Sequence, residues 1–246
     1  MYIYGLGKTI YRNRMQLVSD NYNDKQSSCY FLDLRNSTYI TRKISLDGDH
    51  KKSEYSQRLK DHAEFMLGIH RFLTTILEKL NSKEYYYNDT GDGHLCLFWD
   101  KDHAATALKL ACSMGIFLKK KLAEYNDKKL SKWSQEINAT LSLDFGIGLH
   151  SGGSLVYNDM QRNFAFGIVL NTAARVESYT KNFTTLPLLL TKNFVNFLES
   201  HLHPWEKYGK LIKQVTKYNV DIKDSKIEGH LLYTVLEQDW RHFCHP

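Results

Sequence analysis

The run Cys29 to Leu34, CYFLDL, is almost continuously apolar. A run of that kind reads as a strand buried on both faces. After a polar segment, Leu59, Ala63, Met66, Ile69, Leu73, Ile76, Leu77 and Leu80 recur at steps of three and four. That period gives a long helix with one apolar face. The stretch YYYNDTGDGHLCLFWD follows, with aromatic and apolar residues on either side of Gly91-Asp92-Gly93. It reads as two strands, Tyr85 to Phe98, joined by a tight glycine turn.

Asp102 is placed to cap a second helix carrying Ala105, Leu108, Ala111, Cys112 and Leu118. The basic stretch KKKLAEYNDKKLSK reads as a solvated helix end and loop, with a binding patch as the alternative. INATLSLDFGIGLHSGGSLVYN reads as a further strand pair turning at Gly152-Gly153. A helix over about Val169 to Thr180, the strand PLLL and a helix from Lys192 to His201 follow. Two closing strands lie near Tyr208 to Val215 and His230 to Leu236. The order predicts an α+β fold, a ferredoxin-like βαββαβ core with added C-terminal strands. We expect one domain over residues 29–246, preceded by an N-terminal arm over 1–28.

The chain has 246 residues, 42% of them hydrophobic, enough for a core without disulfides. With 3 prolines and 14 glycines, long disordered segments are not expected. No apolar stretch approaches a membrane span, and the start lacks the order of a signal peptide, so a soluble, cytoplasmic protein is expected. Cys29, Cys96, Cys112 and Cys244 are scattered and read as free thiols rather than a zinc site. The net charge of +6 favours an anionic ligand such as a nucleotide. His94 and His150 read as structural residues of their strands.

Asp33 closes the buried strand, and Asp92 sits between two glycines that free the backbone. In a ferredoxin-like sheet the first strand lies beside the hairpin, so the two carboxylates can meet at one sheet end. Either alone is also an ordinary turn or cap residue. Together they would repel unless cations lay between them, and oxygen ligands of this kind suit Mg²⁺ or Mn²⁺ held jointly with substrate phosphates. The backbone N–H groups of LRNST, entering a helix, can cradle phosphate oxygens, which makes Asn36, Ser37 and Thr38 candidate phosphate-binding residues.

Four segments, in this order, resemble the motifs of class III nucleotidyl cyclase catalytic domains. FLDLRNST resembles the metal-binding opening, TGDGHLCLF the second metal hairpin, GIGLHSGGSL the G-x-G-x-H-x-G strand and FGIVLNTAARVES the family helix. The resemblance implies a head-to-tail homodimer with active sites shared across the interface. One protomer would hold two divalent ions, Mg²⁺ or Mn²⁺, at Asp33 and Asp92 with Leu34 beside them. The other would supply Asn171 to orient the ribose and Arg175 to stabilise phosphate charge, one helical turn apart on one face. Lys226, with Lys223 second, is the candidate for the terminal phosphates of a nucleoside triphosphate substrate.

The sequence departs from the family at the base pocket. Asn88 stands where adenylate cyclases usually carry a lysine, and Phe164 where they carry an acidic or hydroxyl residue. Glutamate and cysteine, usual in guanylate cyclases, are absent there too. An aromatic ring to stack on a base and an amide with both donor and acceptor suit a smaller base. The chain is in this respect similar to the stand-alone pyrimidine cyclases of Pycsar anti-phage systems. That likeness implies cyclic CMP or cyclic UMP as a messenger to a separate effector. CTP is favoured because Asn88 and nearby Asp89 can accept from the cytosine amine, while the amide could serve uracil. An adenylate or guanylate cyclase with an unusual pocket and a nucleotide-binding relic are the other readings. An RNA-binding module is disfavoured because DFGIGLH lacks its stacking aromatics, so no nucleic acid partner is expected. Asn36 replaces a family glycine and Ser37 a phenylalanine, a turn that survives because asparagine tolerates left-handed angles.

Overall fold

The computed structural model describes residues 22–46, 52–80, 82, 84–158, 163–183, 185–202, 204–216 and 231–244. Strand β1 (Tyr22–Arg35) leads into helices α1 (Ser37–Leu46) and α2 (Lys52–Leu80). Strands β2 (Tyr85–Asp89) and β3 (Gly93–Phe98) form the hairpin, followed by α3 (His103–Tyr125). A π-helical turn over Asn126–Leu130 joins α3 to α4 (Ser131–Glu136). Strands β4 (Asp144–Asn158) and β5 (Asn163–Phe166) come next, then α5 (Ile168–Tyr179), β6 (Leu188–Thr191) and α6 (Lys192–His201). The chain closes with α7 (Trp205–Tyr208), β7 (Ile212–Gln214), β8 (Leu232–Val235) and α8 (Arg241–Cys244).

The sheet runs β2-β3-β1-β4-β6-β8-β7, with β5 on the outer part of β4. Its first four strands have the ferredoxin-like order that the βαββαβ pattern predicts. All pairs are antiparallel except β4 with β6. Central β1 is covered on both faces, as CYFLDL requires. Tyr30, Leu32 and Leu34 pack with Phe98, Ile147 and Leu149 beneath Ile69, Leu73 and Leu77 of α2 and Leu108 and Leu118 of α3. On the opposite face Cys29 and Leu97 meet Val169 and Ala173 of α5.

Four expectations are corrected. β1 begins at Tyr22 rather than Cys29, so the expected arm loses its last residues to the sheet; residues 1–21 lie outside the described residues. The polar segment is held there by β4, which pairs Ser27 with Gly152 and Ser28 with Ser151. The side chains help, since Ser27 Oγ donates to the Gly152 carbonyl at 3.1 Å and Ser28 Oγ lies 2.5 Å from Ser151 Oγ. For the same reason Gly152-Gly153 is not a turn. β4 runs straight through both glycines for 15 residues, and its return strand is β5. The basic stretch after Leu118 is helical rather than looped, and Asp102 precedes α3 without a capping side-chain bond.

Candidate functional site

The hairpin tip answers what two glycines around a carboxylate are for. Gly91 has φ +93°, a conformation side chains rarely adopt. A Cβ on Gly93 would run into the Leu32 carbonyl, because β3 lies tight against β1 there. The Leu34 amide donates to the Asp92 carbonyl at 2.9 Å, and Asp33 sits opposite Gly93 in the ladder. Asp33 and Asp92 are thereby brought to one end of the sheet, as expected from the sequence.

Together with Leu34, Arg35, Asn36, Ser37, Thr38, Asp144 and Lys181 they line a cleft of about 420 Å³. Asn36 takes the left-handed conformation, φ +68°, that lets the chain turn from β1 into α1. Its side-chain amide donates to the Ser142 carbonyl at 3.1 Å, and its carbonyl accepts the first helical bond, from Ile40 at 2.9 Å. The amides of Ser37, Thr38 and Tyr39 therefore begin α1 without intrahelical partners, an arrangement that attracts anions. Thr38 Oγ1 donates to Asp92 Oδ2 at 3.1 Å and fixes that carboxylate. The Ser37 side chain is buried under the turn.

Burial and then the Asp92 charge push the Asp33 carboxyl above its ordinary range, against the opposing effect of Lys181 and Arg35. Behind Asp33 lies Glu177 of α5, raised to about 7 by burial and then by Asp33, again opposed by Lys181 and Arg35. Arg35 links the groups: Nη1 meets Asp144 Oδ2 at 3.0 Å, Nε lies 3.9 Å from Glu177 Oε1, and Nη2 donates to Thr180. Such an excess of half-buried carboxylate oxygen suits a hard divalent cation, so the donor set fits Mg²⁺ or Mn²⁺. Arg35, Asp144, Glu177 and Lys181 were missed from the sequence. Arg35 and Glu177 do stand inside the quoted motifs, but only the packing of α5 on β1 joins them.

That packing depends on the glycines of GIGLH. A Cβ on Gly148 would overlap the Ala173 carbonyl and the Glu177 amide, and one on Gly146 would overlap the Glu177 carboxylate. The same helix turns Val169, Thr172, Ala173 and Val176 inward. Asn171 is exposed and Arg175 half-buried, one turn apart, and neither lines the cleft. The carboxylate pair and the Asn171–Arg175 pair thus stay separate within one chain.

Of the base-pocket residues, Asn88 lies opposite Leu95, which lies opposite Phe31, so it shares the sheet face of Asp33. Asp89 points the other way. Its carboxylate lies 3.1 Å from His70 Nδ1 of α2 and accepts the Gly91 amide at 2.8 Å. Asp89 therefore stands away from Asn88 and cannot join it at a cytosine amine, because adjacent strand residues alternate in direction. Phe164 is 41% exposed on β5, opposite Tyr157 with ring centroids 6.3 Å apart. His150 is buried with Nδ1 2.8 Å from Thr191 Oγ1, as a structural residue should be, whereas His94 shares a polar cluster with His70, Tyr87 and Asp89. Lys223 and Lys226 lie outside the described residues. No helix among the described residues is long and apolar enough to cross a membrane.

The sequence matches no protein-family model and no curated protein. Solved structures share the fold. The adenylyl cyclase CyaB from P. aeruginosa superimposes with a TM-score of 0.57 at 16% identity, over 87% of this chain and 95% of that one. The guanylate cyclase domain of RhGC from Catenaria anguillulae, solved in complex with GTP, gives 0.56 at 17% identity over 87% and 98%. A bacterial light-regulated adenylyl cyclase gives 0.60 at 14% identity, over 97% of this chain and 66% of that one. The fold of this chain is that of the adenylyl and guanylyl cyclase catalytic domains of class III.

Proposed function

We propose that the chain is a nucleotidyl cyclase acting on a pyrimidine nucleoside triphosphate, CTP or UTP. The convergence of Asp33 and Asp92 beside the start of α1, on a cyclase fold, carries the reading. In the reaction the ribose 3′-oxygen bonds to the α-phosphorus, the bond to the bridging oxygen of the β-phosphate breaks, pyrophosphate leaves, and the hydroxyl proton is lost. Two divalent ions held by Asp33 and Asp92, with Leu34 beside them, would make the hydroxyl more acidic and offset the leaving charge.

The chain's own groups do the rest. The open amides around Asn36, Ser37 and Thr38 receive phosphate oxygens. Asn171 holds the ribose, Arg175 meets charge on the transferring phosphate, and Lys226 grips the terminal phosphates. Because Asn171 and Arg175 do not line the Asp33 cleft of their own chain, they act in a partner's. A homodimer gives that arrangement, and an apolar patch supports it: Leu155, Phe164, Phe166 and Ile168 are 46%, 41%, 52% and 58% exposed around β5. Asn88 bonds the base edge and Phe164 stacks on it. Without Asp89, the preference for cytosine over uracil rests on the Asn88 amide alone, which can serve either base. The product would act on a separate effector, in the anti-phage setting that the pyrimidine cyclase resemblance implies.

The test is incubation of purified protein with Mn²⁺ and each of ATP, GTP, CTP and UTP in turn, with products resolved by mass. A cyclic pyrimidine monophosphate, absent from Asp92→Ala, is the expected result. Cyclic AMP or GMP would overturn the base assignment while keeping the reaction. No product from any nucleotide would overturn both.

A further inference from the structure

On the opposite side of the hairpin from the catalytic face, four polar side chains aim at one point. His70 comes from α2, and Tyr87, Asp89 and His94 from β2 and β3. His70 Nδ1 lies 3.1 Å from Asp89 Oδ2 and 2.9 Å from Tyr87 Oη. His94 Nδ1 lies 3.1 Å from the same Tyr87 oxygen and 3.9 Å from Asp89 Oδ1. The ligand atoms of His70, Asp89 and His94 all fall within 4.8 Å of one another.

The His70–Asp89, His70–Tyr87 and His94–Tyr87 separations are close to those of a coordination shell, and the His94–Asp89 pair stands wider. A zinc ion with ligands at about 2.0–2.1 Å in a tetrahedron has ligands roughly 3.3 Å apart. Hydrogen bonding leaves one close approach over: with His70 Nδ1–H given to Asp89 and the Tyr87 O–H given to His94 Nδ1, the 2.9 Å approach of His70 Nδ1 to Tyr87 Oη has no proton of its own. Each Nδ1 carries at most one proton, yet His70 Nδ1 has both the Asp89 carboxylate and the Tyr87 hydroxyl within bonding distance. Both imidazoles turn the same nitrogen, Nδ1, inward. The carboxylate is also oriented from behind, since its other oxygen accepts the Gly91 amide at 2.8 Å, the kind of outer contact that fixes a metal ligand.

We propose that His70, Asp89 and His94 form a binding site for a divalent transition metal, zinc above all, with the Tyr87 hydroxyl at the fourth corner. Two imidazoles and one carboxylate select zinc-like ions over Mg²⁺, so the site is chemically distinct from the all-oxygen pair at Asp33 and Asp92. The ion would tie the hairpin to α2. The hairpin tip carries Asp92, three residues from Asp89, so the metal would stiffen the support of the catalytic carboxylate. The site stands whether or not the chain is a cyclase.

Its test uses chelator-stripped protein loaded with zinc chloride, and separately with cobalt chloride as a spectroscopic probe, followed by desalting and elemental analysis. Wild type should retain one zinc per chain, and its cobalt form should show the intense visible bands of a tetrahedral site. Asp33→Asn/Asp92→Asn, which disables the oxygen-only pair, should retain both. His70→Gln changes a half-exposed position, and Asp89→Asn changes an exposed one. Each should raise the zinc Kd by at least about 100-fold, the upper end of what loss of an outer partner alone costs. Far-ultraviolet circular dichroism of both variants confirms that they fold. Failure of wild type to retain zinc would overturn the proposal. So would unchanged binding in His70→Gln and Asp89→Asn, or loss of binding only in the Asp33/Asp92 variant.

Discussion

The two faces of the sheet are built differently. Beneath α2 and α3 the strands present large side chains, Tyr30, Leu32, Phe98, Phe145 and Ile147, all buried. On the other face Gly146 and Gly148 let α5 settle against the backbone, and beyond that helix lie a polar cleft and an exposed apolar ribbon. The first face gathers the apolar burial that opposes conformational entropy. The second holds half-buried carboxylates at a cost in stability, which is tolerable because the first face supplies the margin. The fold thus places the carboxylates Asp33 and Glu177 on one side of a single sheet.

Asp92→Ala should separate the faces most sharply. On the proposed mechanism, product formation should fall about a thousandfold or more, since that mechanism assigns several kcal/mol of charge stabilisation to the carboxylate pair. The urea unfolding midpoint should hold or rise, because Asp33 loses a repelling neighbour. A loss of stability without a loss of activity would reverse the assignment of the two faces. Leu73→Ala, beneath the thick face, should cost about 2–5 kcal/mol in urea unfolding while the folded fraction keeps its specific activity. Gly148→Ala lies between the two. It should cost about 1–3 kcal/mol by forcing α5 away from β4, and it should also reduce activity, because Glu177 and Arg175 ride on that helix.

The pH dependence sharpens the comparison further. Glu177 has its carboxyl raised from 4.5 to about 7, so the folded state holds the proton more tightly than the unfolded state. Its contribution favours the metal-free fold at low pH and is lost as pH rises from about 4.5 through 7. Glu177→Gln should flatten the melting temperature between pH 5 and 8. An unchanged profile would mean that Arg35 already offsets the charge. The smallest effect on folding is expected from Phe166→Ser on the exposed ribbon, within about 0.5 kcal/mol. In the proposed homodimer, sedimentation should nonetheless show this variant shifted to monomer, with cyclase activity falling alongside.

The sequence reading was accurate where a local pattern repeats. The three- and four-residue steps from Leu59 to Leu80 are α2, and Lys192 to His201 is α6 to the residue. It failed where a partner strand overrides local composition. The polar residues Asp24 to Ser28 are strand only because β4 pairs with them, and Gly152-Gly153 is extended for the same reason. The site divides along the same line. Asp33, Asn36 and Asp92 were legible because each sits at a turn with its own backbone signature. Asp89 cannot join Asn88 because adjacent residues of a strand face opposite sides of the sheet.

The sequence by itself determined the order of elements, the two carboxylates and the glycines that let helix and hairpin close on β1, since each is written in spacing a few residues long. Only the tertiary structure decided what meets across distance. It set Glu177 behind Asp33, kept Asn171 and Arg175 out of their own cleft, and gathered His70, Tyr87, Asp89 and His94 on the far side of the hairpin. Those outcomes depend on strand register and on how closely α2 and α5 approach the sheet. Both are properties of packed backbones, which no short stretch of residues specifies alone.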